Sequence, residues 1–393
     1  MHARRRRVPS HESVAASHLN DFRVSRKGEK QMQSNTIVVD WKTLREFMTR
    51  VFQGIGMTEA DALTEADALI WANLRGVDSH GVVRLPWYLD NVDRGIMNPR
   101  PNIRVISQTS ATAFIDADRG FGPVATRFAA DLAIQKARDA GVCWVLIRNV
   151  THQGAIGQYP QMIAEKGMAG LVIACGQPNM APYGASVAGL GNCPISICVP
   201  AERHRFVLLD MATSLVALGK VLVARESGVP MPEGWALDKD GHSTTDPRQL
   251  AALLPVGGPK GSGMSLLFEC LASVMAANAL VQPVISGTSG SSDGPTSHVG
   301  HMATHNQNSI VVALNIECFT DLKEYKARID DLVDSIKALP TADGVDEIMM
   351  PGEIEERRCA ERMVNGIPVP GGTVASLKKI AARLKISLPP QIV

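Results

Sequence analysis

Cys143-Trp144-Val145-Leu146-Ile147-Arg148 and Gly170-Leu171-Val172-Ile173-Ala174-Cys175 are the two stretches from which the fold is read. Both are short, near-continuous apolar runs without period-two alternation, the pattern of strands covered on both faces. Between them, residues 159–166 read as a helix. Ahead of them lie a strand over 112–116 and a helix over 124–139, with Gly141 just behind it. Further strands fall at 194–200, 206–210 and 309–316. Alternation of this kind places the chain in the α/β class (mixed α+β), with a mixed-sheet core between helices.

The two ends read differently. Trp41, Leu44, Phe47, Met48, Val51 and Phe52 keep helical spacing up to Gly54, and a second helix from Thr58 carries Leu63, Leu69, Ile70 and Leu74. In that helix the hexapeptide 58–63 recurs as 64–69. Six residues fall short of two turns, so the copies do not share a face, and the duplication reads as incidental. Residues 321–339 and 373–384 form two more helices. The expected architecture is a helical domain built from 32–110 and 321–393 around a core of 111–320. Residues 1–31, with a basic run at Arg4 to Arg7 and no apolar segment behind it, read either as a disordered extension or as a non-native one from a start placed too early, Met32 then being the first residue.

Forty basic and thirty-nine acidic residues leave a net charge of +1, so neither nucleic acid nor a membrane surface is expected as a partner. The longest apolar region, 265–285, is interrupted by Glu269, Asn278 and Gln282, and reads as one packed helix rather than a membrane span. Seven cysteines without a Cys-x-x-Cys, several inside apolar runs, indicate buried, reduced thiols and a cytoplasmic location.

The chemistry concentrates in Ser79-His80-Gly81 with Arg84. On a helix starting near Gly81, His80 and Arg84 would project from one side. An imidazole that titrates near neutrality then stands beside a guanidinium able to grip a carboxylate with two hydrogen bonds. The plainer roles are a cap for Ser79, a surface site for His80 and a solvated ion pair for Arg84. Gly120-Phe121-Gly122-Pro123-Val124-Ala125 follows a strand and opens a helix, as a dinucleotide fingerprint does. No acidic residue ends the next strand, however, and Arg148 stands there instead, suited to a 2′-phosphate. His152, in Asn149 to Gly157, follows a buried strand, and Asp210-Met211-Ala212-Thr213-Ser214 ends another. Gly257-Gly258-Pro259-Lys260-Gly261-Ser262-Gly263 opens a helix where amides and an amine favour an anion. His298, His301 and His305 have metal-like spacing, but the surrounding Gly, Ser and Thr make a solvated loop the better reading, and 286–300 reads as a flexible Gly/Ser-rich loop.

With Pro351-Gly352-Glu353, these motifs stand in the order found in the malate/L-lactate dehydrogenase-like family, which the chain resembles from about Trp41 to its C-terminus. The resemblance implies a non-Rossmann NAD(P)-binding fold, a homodimer, and interconversion of a small 2-oxo acid and its 2-hydroxy acid with NAD or NADP. His80 resembles the proton donor, Ser79 its relay partner and Arg84 the carboxylate anchor. His152 matches an acid/base in some relatives and a cofactor contact in others. Gln153, Gly154, Ala155 and Ile156, Asp210, Met211 and Ala212, Lys260 and Gly261, and Gly352, Glu353 and Ile354 match cofactor positions, with no metal implied. Asn192, Leu218 and Gly219 fall at substrate positions. Two of these segments depart from the usual pattern: Gly191-Asn192-Cys193-Pro194 replaces Gly-Thr-Asn-Pro, and Ala217-Leu218-Gly219-Lys220 replaces Ala-Arg-Gly-Lys. Lys220 stands where imine reductases of the family carry an aspartate. Rival readings are a cyclic imino-carboxylate reductase and, in another class, a metal-dependent hydrolase gathering zinc with Asp78, His80 and the late histidines.

Overall fold

The computed structural model describes residues 36–287 and 306–393. The proposed extension at 1–31, most of the Gly/Ser-rich loop and His298, His301 and His305 lie outside the described residues.

The near-continuous apolar runs form the middle of a seven-stranded sheet. Its strands are β2 (Arg104–Gln108), β3 (Thr112–Asp116), β4 (Val142–Val150), β5 (Met168–Cys175), β6 (Ile195–Pro200), β7 (Phe206–Met211) and β11 (Gln307–Asn315). They run in the order β2-β3-β4-β11-β5-β6-β7. Only β3 and β4 pair in parallel; the other neighbours are antiparallel. β11 slots between β4 and β5, so that Ile310 faces Leu146 on one side and Ile173 on the other. The core is therefore a mixed sheet and not a doubly wound parallel one. β2 joins this sheet from within the stretch expected to belong to the helical part.

One face of the sheet is covered by α4 (Gly122–Ala140) and α5 (Gln158–Ala164), whose Ala125, Ala129, Ala133, Tyr159 and Ile163 pack on Val145, Ile147 and Val172. Alanines on α4 let helix and sheet approach closely. The other face receives the 265–285 region, which is not one helix. α7 (Pro259–Phe268) runs into a π-helical turn, Glu269–Val274, and a short α8 follows at Gln282–Ile285. Buried Glu269 accepts the N–H groups of Leu280 and Val281 at 2.7 and 3.0 Å, which turns the chain back at that point.

The helix expected at 321–339 is α9 (Leu322–Lys337), and the terminal layer contains α1 (Trp41–Gly54), α2 (Glu59–Leu74), α3 (Leu85–Asp93), α10 (Glu353–Asn365) and α11 (Gly371–Leu384). Asp40 caps α1 by accepting from Lys42 and Thr43 N–H, and the expected stripe Leu44, Phe47, Met48, Val51 and Phe52 is buried. On α2, Leu69, Ile70 and Leu74 are buried, but Leu63 is exposed. The two chain ends are stitched by β1 (Thr36–Val39) against β12 (Ile367–Pro370), with Thr36 opposite Pro370. A small sheet of β8 (Ala236–Leu237), β9 (Ser243–Thr244) and β10 (Ala252–Leu253) sits with α6 (Leu218–Ser227).

Candidate active site

A cleft of about 1130 Å³ opens where the terminal layer, the strand ends of the main sheet and α6 converge. His80, Arg84 and Trp87 come from the terminal layer, His152 to Ile156 and Asp210 to Ala212 from the sheet, and Leu218 and Gly219 from α6. Gly352 and Ile354 complete one wall.

Residues 78–84 do not form the helix expected near Gly81. They make two successive 3₁₀ turns, Asp78–His80 and Val82–Arg84, before α3 begins at Leu85. The break has a physical cause. Asn73 fills the space where a Cβ on Gly81 would stand, accepting Val82 N–H at 2.8 Å and donating to Asp78 at 2.7 Å. Arg362 of α10 then clamps Asp78 through two bonds, 2.7 and 3.0 Å, and also donates to the Asn73 carbonyl. His80 and Arg84 thus reach one cleft without sharing a helix.

Ser79 Oγ lies 3.0 Å from His80 Nδ1, and Arg84 Nε donates to the Ser79 carbonyl at 2.6 Å. The His80 ring stacks on His152, 5.4 Å between centroids with planes 13° apart. Burial, and then the Arg84 charge, depress the His80 imidazole to about 3, so it is neutral at physiological pH. Arg84 lies 5.8 Å from the Trp87 ring, its Nε is taken by the Ser79 carbonyl, and no carboxylate pairs with it among the described residues. Burial also lowers the Arg84 pKa, against the opposing influence of Tyr88. A partly enclosed cation without a counter-ion suits an anionic ligand.

His152 is held differently. Its Nδ1 accepts Gly154 N–H at 3.3 Å and lies 2.8 Å from the Tyr88 hydroxyl. A nitrogen that accepts from an amide carries no hydrogen, so Tyr88 donates and His152 keeps its proton on Nε2. Asp210 ends β7 facing the cleft, where it accepts Gly157 N–H at 3.0 Å. The surrounding protein raises its carboxyl to about 6, helped by Glu355 and opposed by the Gly157 amide. A Cβ on Gly157 would stand 2.7 Å from Asp210 Oδ2, so this contact needs a glycine.

Several expected contacts fall elsewhere. Although burial opposes it, Lys337, Met350 N–H and Arg357 hold Glu353 down at about 2, and its carboxylate joins that ion-pair cluster and not the cleft wall. Lys260 is exposed and Gly261 packs against the Thr213 and Val256 backbone; neither lines the cleft. Lys220 is likewise exposed and off the cleft. The glycines of 120–125 are packing glycines: a Cβ on Gly120 would meet Pro101 at 2.7 Å, and Gly122 lies against the His152–Gln153 backbone. Arg148 bonds Asp116 at 2.9 Å, which occupies the charge once set aside for a phosphate. Asn192 does line the cleft, fixed by reciprocal bonds with Asn179 at 2.8 and 3.0 Å.

The profile of the malate/L-lactate dehydrogenase family matches residues 39–378. The chain belongs to that family. It is similar to L-sulfolactate dehydrogenase of Methanocaldococcus jannaschii, with 36% identity over 88% of this chain and 96% of the relative. The structure of that enzyme superposes with a TM-score of 0.79. Malate dehydrogenase of Pyrococcus horikoshii is 36% identical over 90% of this chain and 98% of the relative. A Δ1-piperideine-2-carboxylate reductase from Pseudomonas syringae superposes at TM-score 0.76 with 27% identity, covering 88% of this chain and 99% of that one.

As a member of the malate/L-lactate dehydrogenase family, the protein is an NAD(P)-dependent dehydrogenase acting on a CH–OH group. The metal-hydrolase reading is thereby overturned. Its Asp78 is taken by Arg362, and no three metal-ligating side chains gather among the described residues. No helix among them is long and apolar enough to cross a membrane. The residues present fit a nicotinamide nucleotide. Buried Gln153 lines the cleft with both its side-chain amide nitrogen and oxygen unpartnered among the described residues, the complement of a carboxamide. Gly154, Asp210, Met211, Ala212, Gly352 and Ile354 line the same cleft.

The sequence reading missed Asn73, Asp78 and Arg362 as supports of the His80 turn, and Tyr88 as the partner of His152. Tyr88 lies four residues past Arg84, a spacing that carried a signal; Arg362 carried none.

Proposed function

We propose that the protein oxidises a small 2-hydroxy acid to its 2-oxo acid and catalyses the reverse, with His80 as the acid/base and Arg84 as the carboxylate anchor. The observation that carries the reading is the Arg84 guanidinium, partly enclosed and without a counter-ion among the described residues, bonded to the Ser79 carbonyl beside a neutral His80. A bound nicotinamide nucleotide would take or give the hydride, held along the wall of Gln153, Gly154, Asp210, Met211, Ala212, Gly352 and Ile354.

The chain's own residues do the rest. Arg84 grips the carboxylate and presents the neighbouring carbon to the cofactor wall. Neutral His80 accepts the hydroxyl proton in oxidation, and Ser79 steadies the ring at Nδ1. In reduction His80 must first hold a proton. A substrate carboxylate on Arg84 offsets the smaller of the two causes that keep its pKa down, which moves the ring toward the protonated form that reduction needs. His152 offers its Nε2–H to the same carbonyl oxygen or to the cofactor.

A homodimer in the cytoplasm belongs to the same reading. Leu266, Leu267, Val274 and Met275 leave an apolar stripe exposed along α7 and the π-turn, and every cysteine is free, as a reducing compartment would keep it. The test is nicotinamide fluorescence on titration with NADH and NADPH separately, then addition of a panel of 2-oxo acids with piperideine-2-carboxylate as competitor. Saturable binding and oxidation by a 2-oxo acid is the expected result. Turnover confined to the cyclic imine would replace the substrate assignment, and a purely monomeric sample in light scattering would remove the dimer.

A further inference from the structure

Two of the buried cysteines stand opposite each other beside the cleft. β5 and β6 pair antiparallel, with Gly170 facing Cys198 and Ile173 facing Ile195. One step on, Ala174 N–H donates to the Pro194 carbonyl at 3.1 Å, which makes that pair the hydrogen-bonded one. The next position sets Cys175 against Cys193 as a non-hydrogen-bonded pair. Side chains so placed share a face, and their Cα atoms stand about 4.5 Å apart. A disulfide accepts Cα separations from about 4.4 to 6.8 Å, so two thiols here join without a large shift of the strands. At the short end of that range the link is also one that thiols reopen.

Both cysteines belong to one buried cluster with Ala272, Ala276 and Leu280. Cys193 Sγ accepts the Ser265 hydroxyl at 3.6 Å, and the Gly176 N–H and the Cys175 thiol also point to it. The Cys175 hydrogen above all, then Ser265 and Gly176, hold the Cys193 thiol below its ordinary value against its burial. The bond to Cys193, and then burial, push the Cys175 thiol well up. A cysteine kept as an apolar filler has no use for three donors. A sulfur provided for as an anion, beside a thiol that keeps its hydrogen, is the arrangement of an attacking and a resolving cysteine. The neighbours of both, Ala174 and Gly176 on one strand and Asn192 and Pro194 on the other, line the cleft. Glycine thins the wall there: a Cβ on Gly191 would stand 2.6 Å from the Gly176 carbonyl oxygen and 3.1 Å from Cys193 Sγ.

We propose that Cys175 and Cys193 are a reversible oxidation site: hydrogen peroxide, entering from the cleft, joins them in a disulfide that displaces Asn192 and weakens binding of the acid. Cys193 attacks one peroxide oxygen, the O–O bond breaks, and water leaves as the sulfur becomes a sulfenic acid. Cys175 then attacks that sulfur; the S–S bond forms, and the sulfenic oxygen leaves as a second water. Two thiols lose two hydrogens in all, and one peroxide is reduced to two waters. Asn192 is held by Asn179, and Gly191 by the Ser265 hydroxyl at 2.6 Å. Drawing the sulfurs to about 2.05 Å pulls on the chain at those fixed points. The effect on affinity rests on the 2-hydroxy acid reading above, with Asn192 facing that substrate.

The test uses the full-length protein, reduced, freed of reductant and treated with hydrogen peroxide, after which remaining thiols are alkylated in denaturant. Chymotrypsin cuts after Tyr183, between the two cysteines, and mass spectrometry reads the peptides. The expected product joins the Cys175 and Cys193 peptides, two hydrogens lighter than their sum, and is parted by dithiothreitol. Oxidation confined to the exposed Cys270 and Cys318, with Cys175 and Cys193 still alkylated, overturns the proposal. In kinetics, KM for the 2-oxo acid rises about threefold or more on oxidation, returns on reduction, and does not respond in Cys175→Ser. A rise that persists in Cys175→Ser, or none in fully linked wild type, overturns the coupling to the cleft. Should Cys175→Ser not fold, the wild-type digest and the reversal by dithiothreitol decide alone. Because the digest needs no substrate, failure of the 2-hydroxy acid reading and failure of this proposal are told apart.

Discussion

His80 and His152 lie ring on ring in one cleft, yet they are prepared in opposite ways. His80 comes from a short local motif, sits on a 3₁₀ turn of the terminal layer, and is kept neutral by burial and by Arg84. His152 follows the end of β4, is buried, and is set by Gly154 N–H and Tyr88. One ring is tuned in its charge, the other in its tautomer. The difference separates a group poised to change protonation during the reaction from one that holds a hydrogen in place.

The largest expected effect breaks the pair at His80. His80→Ala should lower kcat/KM about 10²- to 10⁴-fold while cofactor fluorescence titration stays near wild type. Near-full turnover in that variant would move the acid/base role to His152. Arg84→Gln should act next most strongly, raising KM for the acid at least tenfold through loss of a bidentate charged contact. It also lifts one of the two causes depressing His80, so the acid limb of the oxidation profile should move upward in pH, part of the way from about 3 toward the ordinary 6.5. An acid limb that stays in place would mean Arg84 does not govern the ring.

The smallest effect concerns stability. The His80 pKa is lower folded than unfolded, so its contribution to stability is present above about 6.5 and drains away as pH falls toward 3. His80→Asn should therefore lose less thermal stability than wild type between pH 7 and 5. Parallel losses in the two proteins would show that another group carries the acid sensitivity.

How far the sequence speaks depends on the distance over which a feature is decided. The α1 stripe and the β4 and β5 cores are set by neighbours a few residues away, and their periodicity is plain. Ser79, His80 and Arg84 were legible for the same reason. β2 was not, because its burial pattern leaves only Val105 partly covered and an edge strand shows no apolar alternation. The 3₁₀ break at Gly81 depends on Asn73 and on Arg362, which lies 284 residues beyond Asp78. Glu353 was misplaced because a glycine-flanked acid looks alike on paper whether it faces a ligand or Lys337. The two identical hexapeptides mark the limit most clearly, since only the packing of α2 decides that Glu65 is sealed from water and Glu59 is not.

The pairing of β1 with β12, and the grip of Arg362 on Asp78, also set an order in time. During synthesis the strands of the main sheet can come together once residue 315 has emerged, and β11 then closes the gap between β4 and β5. The turn that carries His80 still lacks its clamp, and the terminal layer its stitching strand, until the last tenth of the chain is made. A nascent or C-terminally clipped chain thus holds only the sheet-borne side of the cofactor wall, Gln153, Gly154 and Asp210 to Ala212, before it holds the clamp on the proton-transfer turn, and turnover reports that Arg362 and β12 are in place.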